Sequence, residues 1–165
     1  MASGERAVFE KIKPVLEVIG RNIFYVGGQI GQGKVVKVAN NLLSAAAMAI
    51  TSEAVILGQK AEIDPAVLIS VFNASSGRNT ATTDKFPKAV LNRSFDYGFS
   101  SGLMYKDVKL CIELAEELQL PMWLGTSVMQ FWKYIVTQGG GNRDFTTIVQ
   151  YLERMSGIPN ELSGE

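Results

Sequence analysis

Residues 34–61 set the strongest limit on what this chain can fold into. They read KVVKVANNLLSAAAMAITSEAVILGQKA, a stretch that is rich in alanine and free of proline, which predicts one long helix. Its small apolar residues extend well around the helix circumference instead of forming a single stripe. That pattern is typical of a helix buried on most sides. The segment therefore predicts a central helix that other elements must cover.

The remainder of the chain supplies those covering elements, and almost all of them are helical. Apolar periodicity predicts further helices over residues 5–20, 65–74, 83–91, 103–118, 121–138 and 144–155. Asp64 before Pro65, and Asp144 before the last helix, are residue types that begin helices. Only the run NIFYVG at 22–27 has β character, so any strand is expected there. The predicted class is all-α, a multi-helix domain around one long central helix.

Charge and residue usage exclude several classes of function. Lysine and arginine together number 16, equal to the 16 aspartates and glutamates. The chain therefore lacks the basic balance that binding to nucleic acid or an anionic membrane would favour. There is no histidine, which removes the commonest general base, the commonest metal ligand and every serine–histidine triad. No metal site is expected.

Cysteine usage and the N-terminus indicate the cellular compartment. Cys111 is the single cysteine, which excludes an intrachain disulfide and suits a reducing compartment. The N-terminus MASGERAVFEK lacks the apolar stretch of a signal peptide, and no uninterrupted apolar run reaches membrane-spanning length. A cytoplasmic protein with no membrane partner and no nucleic-acid partner is expected.

The glycine-rich segment GGQIGQGKVVKVANN, residues 27–41, raises the question of a nucleotide-binding loop. A dinucleotide fingerprint needs G-x-G-x-x-G between a strand and a helix, whereas Gly28, Gly31 and Gly33 have the spacing G-x-x-G-x-G. A Walker loop needs G-K followed by serine or threonine, and here Lys34 is followed by valine. On their own these glycines predict a turn that leads into the long helix.

Polar side chains interrupt the apolar surface of that helix at Lys37 and Asn41. Residues four apart project from one helical face, and Asn40 adds a second amide. The residues alone leave two interpretations open. One is a partly desolvated lysine that transfers protons. The other is a lysine that extends its ammonium to water, beside asparagines that cap a neighbouring backbone.

The motif GxxGxGxxxKxxxN, from Gly28 to Asn41, resembles a motif of the β-hydroxyacid dehydrogenases, such as 3-hydroxyisobutyrate and tartronate semialdehyde dehydrogenases. Three later segments continue the resemblance, namely SSGRN at 75–79, FSSGLMYKDVKL at 99–110 and AEELQLPMWLG at 115–125. It covers roughly residues 8–157. The resemblance implies the C-terminal helical domain of this family, with a fold like the C-terminal domain of 6-phosphogluconate dehydrogenase.

The family's N-terminal Rossmann domain carries the glycine fingerprint and a serine–glycine substrate loop. Residues 5–27 resemble only the final helix and strand of that domain, and residues 28–165 resemble the helical domain. A Rossmann domain, in cis or in trans, is therefore an expected partner.

By this resemblance the reaction would be hydride exchange between NAD or NADP and a small 3-hydroxyacid. Lys37 would act as the general acid or base, and Asn41 would hold the reacting oxygen. Lys106 would reach the bound cofactor, with Asp107 beside it to orient the local charges. Phe99 would line the closed pocket.

The resemblance also assigns Asn40, Gly31 and Gly33 to the substrate-binding side, where glycines let the backbone approach a ligand closely. Each assignment has a plain structural alternative. The lysine–aspartate pair at 106 and 107 is also an ordinary charged pair at a helix start, and Phe99 also fits a core position.

Two classes of function remain. The chain is either the catalytic and dimerisation domain of an NAD(P)-dependent 3-hydroxyacid dehydrogenase, or a stand-alone helical module that dimerises or binds a ligand without turnover. A dimer or larger homo-oligomer is expected, because the long helix and the segment from Trp123 to Trp132 would leave apolar surface for a partner. Without a glycine loop for the pyrophosphate, the chain alone is expected to bind no cofactor tightly and to be inactive.

Overall fold

The computed structural model describes residues 1–160, and they form an almost entirely helical body. In chain order the elements are α1 (Arg6–Ile19), α2 (Gln32–Lys60), α3 (Pro65–Ala74), a π-helix (Ala81–Val90), α4 (Ser101–Glu117), α5 (Trp123–Thr137), two 3₁₀ turns (Gly140–Asn142 and Phe145–Thr147) and α6 (Ile148–Met155). The predicted all-α class is confirmed, since no strand occurs within these residues.

The long helix α2 occupies the centre of the body, as predicted. It packs against α3, the π-helix, α4, α5 and α6. By length and apolar composition alone, α2 could cross a membrane. Core helices of folded domains share that length and composition, and 44% of the apolar 18-residue stretch of α2 is buried inside the protein. The expectation of no membrane partner stays a prediction.

Helix starts follow local signals in the sequence. The carboxylate of Asp64 accepts a hydrogen bond from the backbone N–H of Ala66 at 2.7 Å, so α3 begins at Pro65 as predicted. Helix α2 begins at Gln32, two residues before the predicted start at 34, because Gly31 precedes it with a φ of 98°. That left-handed conformation favours glycine.

No strand forms at 22–27, the run to which any strand was expected to be confined. Tyr25 forms only an isolated parallel bridge with Ala2, supported by hydrogen bonds from Ala2 N to Phe24 O at 2.8 Å and from Val26 N to Ala2 O at 2.9 Å. The N-terminal segment turns into α1 at Arg6, so no ladder can continue. A β-type run cannot form a strand unless a neighbouring segment pairs along its length.

The helix predicted at 83–91 is a π-helix, and Pro87 lies inside it. The backbone N–H of Leu91 bonds to the carbonyl of Phe86, five residues earlier, at 2.9 Å. Proline has no N–H, and in an α-helix its ring collides with a carbonyl of the preceding turn. The wider turn relieves that conflict. One face of the π-helix is buried, and Lys85 lies on it.

The two tryptophans lie in opposite environments. Trp132 on α5 is fully buried in the core, and its indole N–H donates to the carbonyl of Ala45 at 3.4 Å. Trp123, at the start of the same helix, is 83% exposed. It belongs to an exposed apolar surface formed by Leu43, Ile50, Trp123 and Leu124, called the apolar face below.

Candidate functional site

Asp107 on α4 joins the two polar residues that the sequence singled out on α2. Its Oδ2 accepts a hydrogen bond from Lys37 Nζ at 2.6 Å and another from Asn41 Nδ2 at 2.6 Å. The predicted common face of Lys37 and Asn41 is therefore confirmed. Their meeting with Asp107 was not predicted, since Asp107 was assigned to the cofactor side.

Asp107 is buried, whereas the two lysines around it are partly exposed. The side chain of Asp107 is 3% exposed, whereas the side chains of Lys37 and Lys106 are 48% and 59% exposed. Lys106 Nζ lies 3.5 Å from Asp107 Oδ1, and that buried oxygen has no hydrogen-bond partner within residues 1–160. Lys37 and Lys106 thus lie close together, as predicted.

This arrangement keeps Asp107 ionised at neutral pH. Burial by itself would raise the pKa of its carboxyl, but the hydrogen bonds from Lys37 and Asn41 and the charges of Lys37 and Lys106 outweigh burial, so the pKa is lowered. A permanent carboxylate then fixes the ammonium of Lys37 and the amide of Asn41 in one place.

A cleft of about 340 Å³ opens beside this cluster. It is lined by Asn41, Ser44, Lys85, Tyr97, Gly98, Phe99, Met104 and Phe145. This volume lies near the lower end of the range of about 300–1,000 Å³ that is usual for small-molecule sites. Phe99 lines the cleft as predicted, and it also packs edge-to-face on Phe145 with ring centroids 6.1 Å apart.

The loop that carries Phe99 is held by Asp144. One carboxylate oxygen of Asp144 accepts hydrogen bonds from the backbone N–H groups of Gly98 at 2.8 Å and Phe99 at 3.2 Å. The other accepts from the N–H of Thr146 at 2.9 Å, which caps the 3₁₀ turn before α6. The cap predicted at Asp144 is confirmed, and the same side chain positions the aromatic wall of the cleft.

Lys85 is a cleft residue that the sequence analysis missed. It is only 6% exposed, and its Nζ lies 5.9 Å from the ring centroid of Tyr97. Burial lowers the pKa of Lys85, and the charge of Asp84 offsets this only in part. Buried positions recur at 81–82, 85–86 and 89–90, which places Lys85 on the inner face of its helix, but its residue type gave no signal of this.

Comparison with known proteins identifies the chain. Residues 31–152 match the family model described as NAD-binding of NADP-dependent 3-hydroxyisobutyrate dehydrogenase. The chain belongs to the 3-hydroxyisobutyrate dehydrogenase family.

Relatives in this family are enzymes about twice as long. The chain is 35% identical over 158 residues to the 2-(hydroxymethyl)glutarate dehydrogenase of Eubacterium barkeri, covering 96% of this chain and 52% of that protein. It is 32% identical to the 2-hydroxy-3-oxopropionate reductase of Escherichia coli K12, covering 94% and 53%. The fold matches the crystal structure of a Salmonella typhimurium 3-hydroxyisobutyrate dehydrogenase with a TM-score of 0.82 at 24% identity, covering 92% of this chain and 53% of that chain. The chain spans about half the length of these relatives.

In this member of the 3-hydroxyisobutyrate dehydrogenase family, Asn41 and Phe99 are the predicted site residues that line the cleft. The cluster of Lys37, Lys106 and Asp107 lies beside it, and the three remaining predicted residues also lie outside its lining. Gly31 begins α2. A Cβ on Gly33 would lie 3.3 Å from the carbonyl oxygen of Met1, and the Gly33 N–H donates to Ser3 Oγ at 3.1 Å. The close approach at Gly33 is thus made by the chain's own N-terminal segment. Asn40 is exposed. A substrate-binding role for Gly31, Gly33 and Asn40 stays a prediction.

Proposed function

We propose that the chain is the catalytic and dimerisation domain of an NAD(P)-dependent 3-hydroxyacid dehydrogenase, in which Lys37 transfers the proton. The observation that carries the proposal is the 2.6 Å contact between Lys37 Nζ and buried Asp107, with Asn41 on the same carboxylate oxygen. Family membership supports it, because the matching relatives are named as dehydrogenases and reductases.

Lys37 serves the oxygen of the reacting carbon. A nicotinamide cofactor, when bound, supplies the hydride acceptor or donor. When a semialdehyde is reduced, the Lys37 ammonium donates a proton to the carbonyl oxygen. In the oxidation of the alcohol, the neutral amine takes the hydroxyl proton. About half of the Lys37 side chain is exposed, and it shares the carboxylate of Asp107 with Asn41, which lines the cleft.

Asp107 and Asn41 prepare that step in different ways. Asp107 is a positioning residue, since its buried carboxylate holds Lys37 in one orientation and touches no reacting atom. Asn41 both bonds to Asp107 and lines the cleft. Its amide is therefore placed to hydrogen-bond the reacting oxygen and orient it for the reaction.

The residues present fit one part of a cofactor site. Lys106 is 59% exposed, and its only ion pair within residues 1–160 is the 3.5 Å contact with Asp107. Its ammonium therefore remains available to a phosphate of the cofactor. The pyrophosphate needs a glycine loop at a helix N-terminus, which we assign to a Rossmann domain in cis or in trans. Apolar residues on α1 that are largely exposed, such as Val18 and Ile19, support residues 5–27 as the end of such a domain.

The apolar face supports assembly. Leu43 and Ile50 on α2 are 71% and 60% exposed, and Trp123 and Leu124 on α5 are each 83% exposed. A contiguous apolar surface of this kind marks an interaction site. We propose that a second copy of the chain covers it in a dimer or larger oligomer, within a fold like the C-terminal domain of 6-phosphogluconate dehydrogenase. A strictly monomeric mass by light scattering would contradict this.

The test joins the chain to a matching Rossmann domain of the family. This protein should oxidise small 3-hydroxyacids with NAD or NADP, and Lys37→Ala should lower kcat by about 10²- to 10⁴-fold. Cofactor affinity, measured by calorimetry, should remain nearly unchanged. The exposed Lys133 on α5 provides the control, since Lys133→Ala should keep full activity. An active protein that is indifferent to Lys37→Ala would overturn the catalytic assignment.

A second candidate is a stand-alone module that assembles or binds a ligand without turnover. The apolar face favours it, because this surface can serve assembly whether or not a cofactor domain is joined to the chain. Joined proteins that bind the cofactor but show no activity with any 3-hydroxyacid would favour this second function.

A further inference from the structure

Lys85 is the one buried cation in the described cleft that has no partner of opposite charge. It is 6% exposed and lines the same cleft as Asn41. Within residues 1–160 it forms no hydrogen bond and no ion pair; its Nζ lies 5.9 Å from the ring centroid of Tyr97, and the charge of Asp84 acts on it only at longer range. An approach of that length is at the outer limit for attraction between an ammonium and an aromatic face. The charge is therefore buried with little compensation.

The nearest carboxylate does not supply the missing partner. Asp84 precedes Lys85 in the chain, but its Oδ1 pairs with Lys88 Nζ at 2.6 Å. Its Oδ2 accepts a hydrogen bond from the hydroxyl of Tyr97. Both oxygens are thus already engaged, which leaves Lys85 unneutralised.

Tyr97 cannot become the counter-ion either. Its hydrogen bond to Asp84, its burial and the nearby charges of Asp84 and Asp144 raise the pKa of its hydroxyl to about 12. The phenol is therefore neutral at physiological pH. Partial removal of an ammonium from water without a close counter-ion is costly, so an anion that enters the cleft would be attracted to Lys85.

The cleft region holds two separate excesses of positive charge. In one, Lys37 and Lys106 share the single carboxylate of Asp107. In the other, the carboxylate of Asp84 pairs with Lys88, and the neighbouring Lys85 feels its charge without forming an ion pair with it. The first group is built from α2 and α4, and the second from the π-helix. Two cationic centres formed by different elements suit a ligand with more than one anionic group.

We propose that Lys85 binds a carboxylate of the substrate other than the one next to the reacting carbon, so that the preferred substrates are 3-hydroxyacids with a second, distal carboxylate. In this arrangement Lys85 is a specificity-determining residue, and Phe99, Met104 and Phe145 provide the apolar walls that strengthen the ion pair by excluding water. The inference rests on the proposed dehydrogenase function.

The kinetic test uses the chain joined to its Rossmann domain and matched substrate pairs. Each pair consists of a 2-(hydroxymethyl) dicarboxylic acid and the analogue in which a methyl group replaces the distal carboxylate. The unmodified protein should prefer the dicarboxylic member in kcat/KM by on the order of 10- to 100-fold. Lys85→Met should remove most of that preference through KM, whereas Lys85→Arg should restore part of it and the control Lys133→Met should leave it intact.

Several kinetic outcomes would overturn the inference. One is an active enzyme that does not prefer the dicarboxylic substrate. The others are a Lys85→Met variant that keeps the preference, and a Lys85→Met variant in which kcat/KM falls equally for both substrates of a pair. A loss that appears as weaker cofactor binding in calorimetry would assign Lys85 to the cofactor instead. Folding of each variant is checked by its helical circular dichroism.

A binding test separates failure of this inference from failure of the proposed function. The 165-residue chain is titrated with glutarate and, separately, with butyrate, while the backbone amide signals of Gly98 and Phe99 are followed by NMR. Glutarate should shift these signals more than butyrate does, and Lys85→Met should abolish the difference. If no 3-hydroxyacid is turned over but glutarate binds through Lys85, the proposed function fails and the anion site stands. If glutarate and butyrate shift the signals equally, the site itself is refuted.

Discussion

Two buried charges near one cleft are treated in opposite ways. Asp107 is 3% exposed, yet Lys37 and Asn41 each donate a hydrogen bond to it at 2.6 Å and Lys106 lies 3.5 Å away. Lys85 is 6% exposed, and in the described part of the chain it has no hydrogen bond and no ion pair, only the ring of Tyr97 at 5.9 Å and the more distant charge of Asp84. The first charge is satisfied inside the protein, and the second is not. The contrast fits the two roles proposed above, in which the group at Asp107 is preorganised for proton transfer and Lys85 is completed by a ligand.

The largest effect on activity should come from a substitution of Asp107, the buried charge that has partners within the protein. Asp107→Asn keeps the size of the side chain but removes the anion that orients Lys37. In the protein joined to its Rossmann domain we expect kcat to fall by about 10²-fold, because a small misplacement of a reacting group is that costly. Steady-state kinetics measures it. Lys106→Ala is the matched control and should affect KM for the cofactor more than kcat. Full activity of Asp107→Asn would remove the positioning role.

Stability should respond with opposite signs to the loss of each lysine. Lys37→Ala removes a hydrogen bond from a buried carboxylate, which should lower the free energy of unfolding by about 1–3 kcal/mol. Lys85→Met replaces an unpaired buried charge with an apolar side chain of similar length, which should raise it by about 1 kcal/mol. Urea unfolding followed by circular dichroism gives both values, with Lys133→Met as the near-neutral reference. If both variants change stability in the same direction, the contrast between the two charges is wrong.

The smallest effect is the pH dependence of stability. Burial lowers the folded-state pKa of Lys85 below the roughly 10.4 of an exposed lysine. Between those two values the unfolded chain binds more protons, so stability should rise with pH there. The rise should be absent in Lys85→Met. At acid pH the group that matters is Asp107. Burial would raise the pKa of its carboxyl, but its hydrogen bonds and the neighbouring cations outweigh burial and lower that pKa.

For Asp107 the sign is fixed by the same linkage. Its stabilisation is fully present above the roughly 3.9 of an exposed aspartate and is lost as the pH falls through the lower folded-state value. Asp107→Asn should flatten this acid limb of the stability curve. Urea midpoints collected across both pH ranges test the two limbs separately, and an unchanged acid limb in Asp107→Asn would show that other carboxyls dominate it.

Local signals in the sequence were enough for most of the helices and for the common face of Lys37 and Asn41. The cap at Asp64 fixed the start of α3, and a spacing of four residues placed Lys37 and Asn41 on one face. The pairing of Lys37 with Asp107 joins residues 70 positions apart. Helical periodicity describes one element at a time, so it could not show that α2 and α4 bring these two together.

The misses have similar physical origins. The run at 22–27 has strand-forming residues, but strand formation depends on a paired neighbour, and this segment forms only one isolated bridge, between Tyr25 and Ala2. Lys85 occupies a position where lysine usually extends to solvent. Its burial follows from the π-helix around Pro87 and from the packing of that helix on α2, neither of which is encoded by residue type at position 85.

The unequal burial of the two tryptophans gives the protein two separate optical probes. Trp123 stands in water on the apolar face, so its fluorescence should be quenched by iodide and protected when a second copy covers that surface. Trp132 lies out of reach of a quencher, and its ring centroid is 6.1 Å from that of Phe145, which lines the cleft. Its emission should change when a ligand enters the cleft. Assembly and ligand binding can therefore be followed independently in one unlabelled sample.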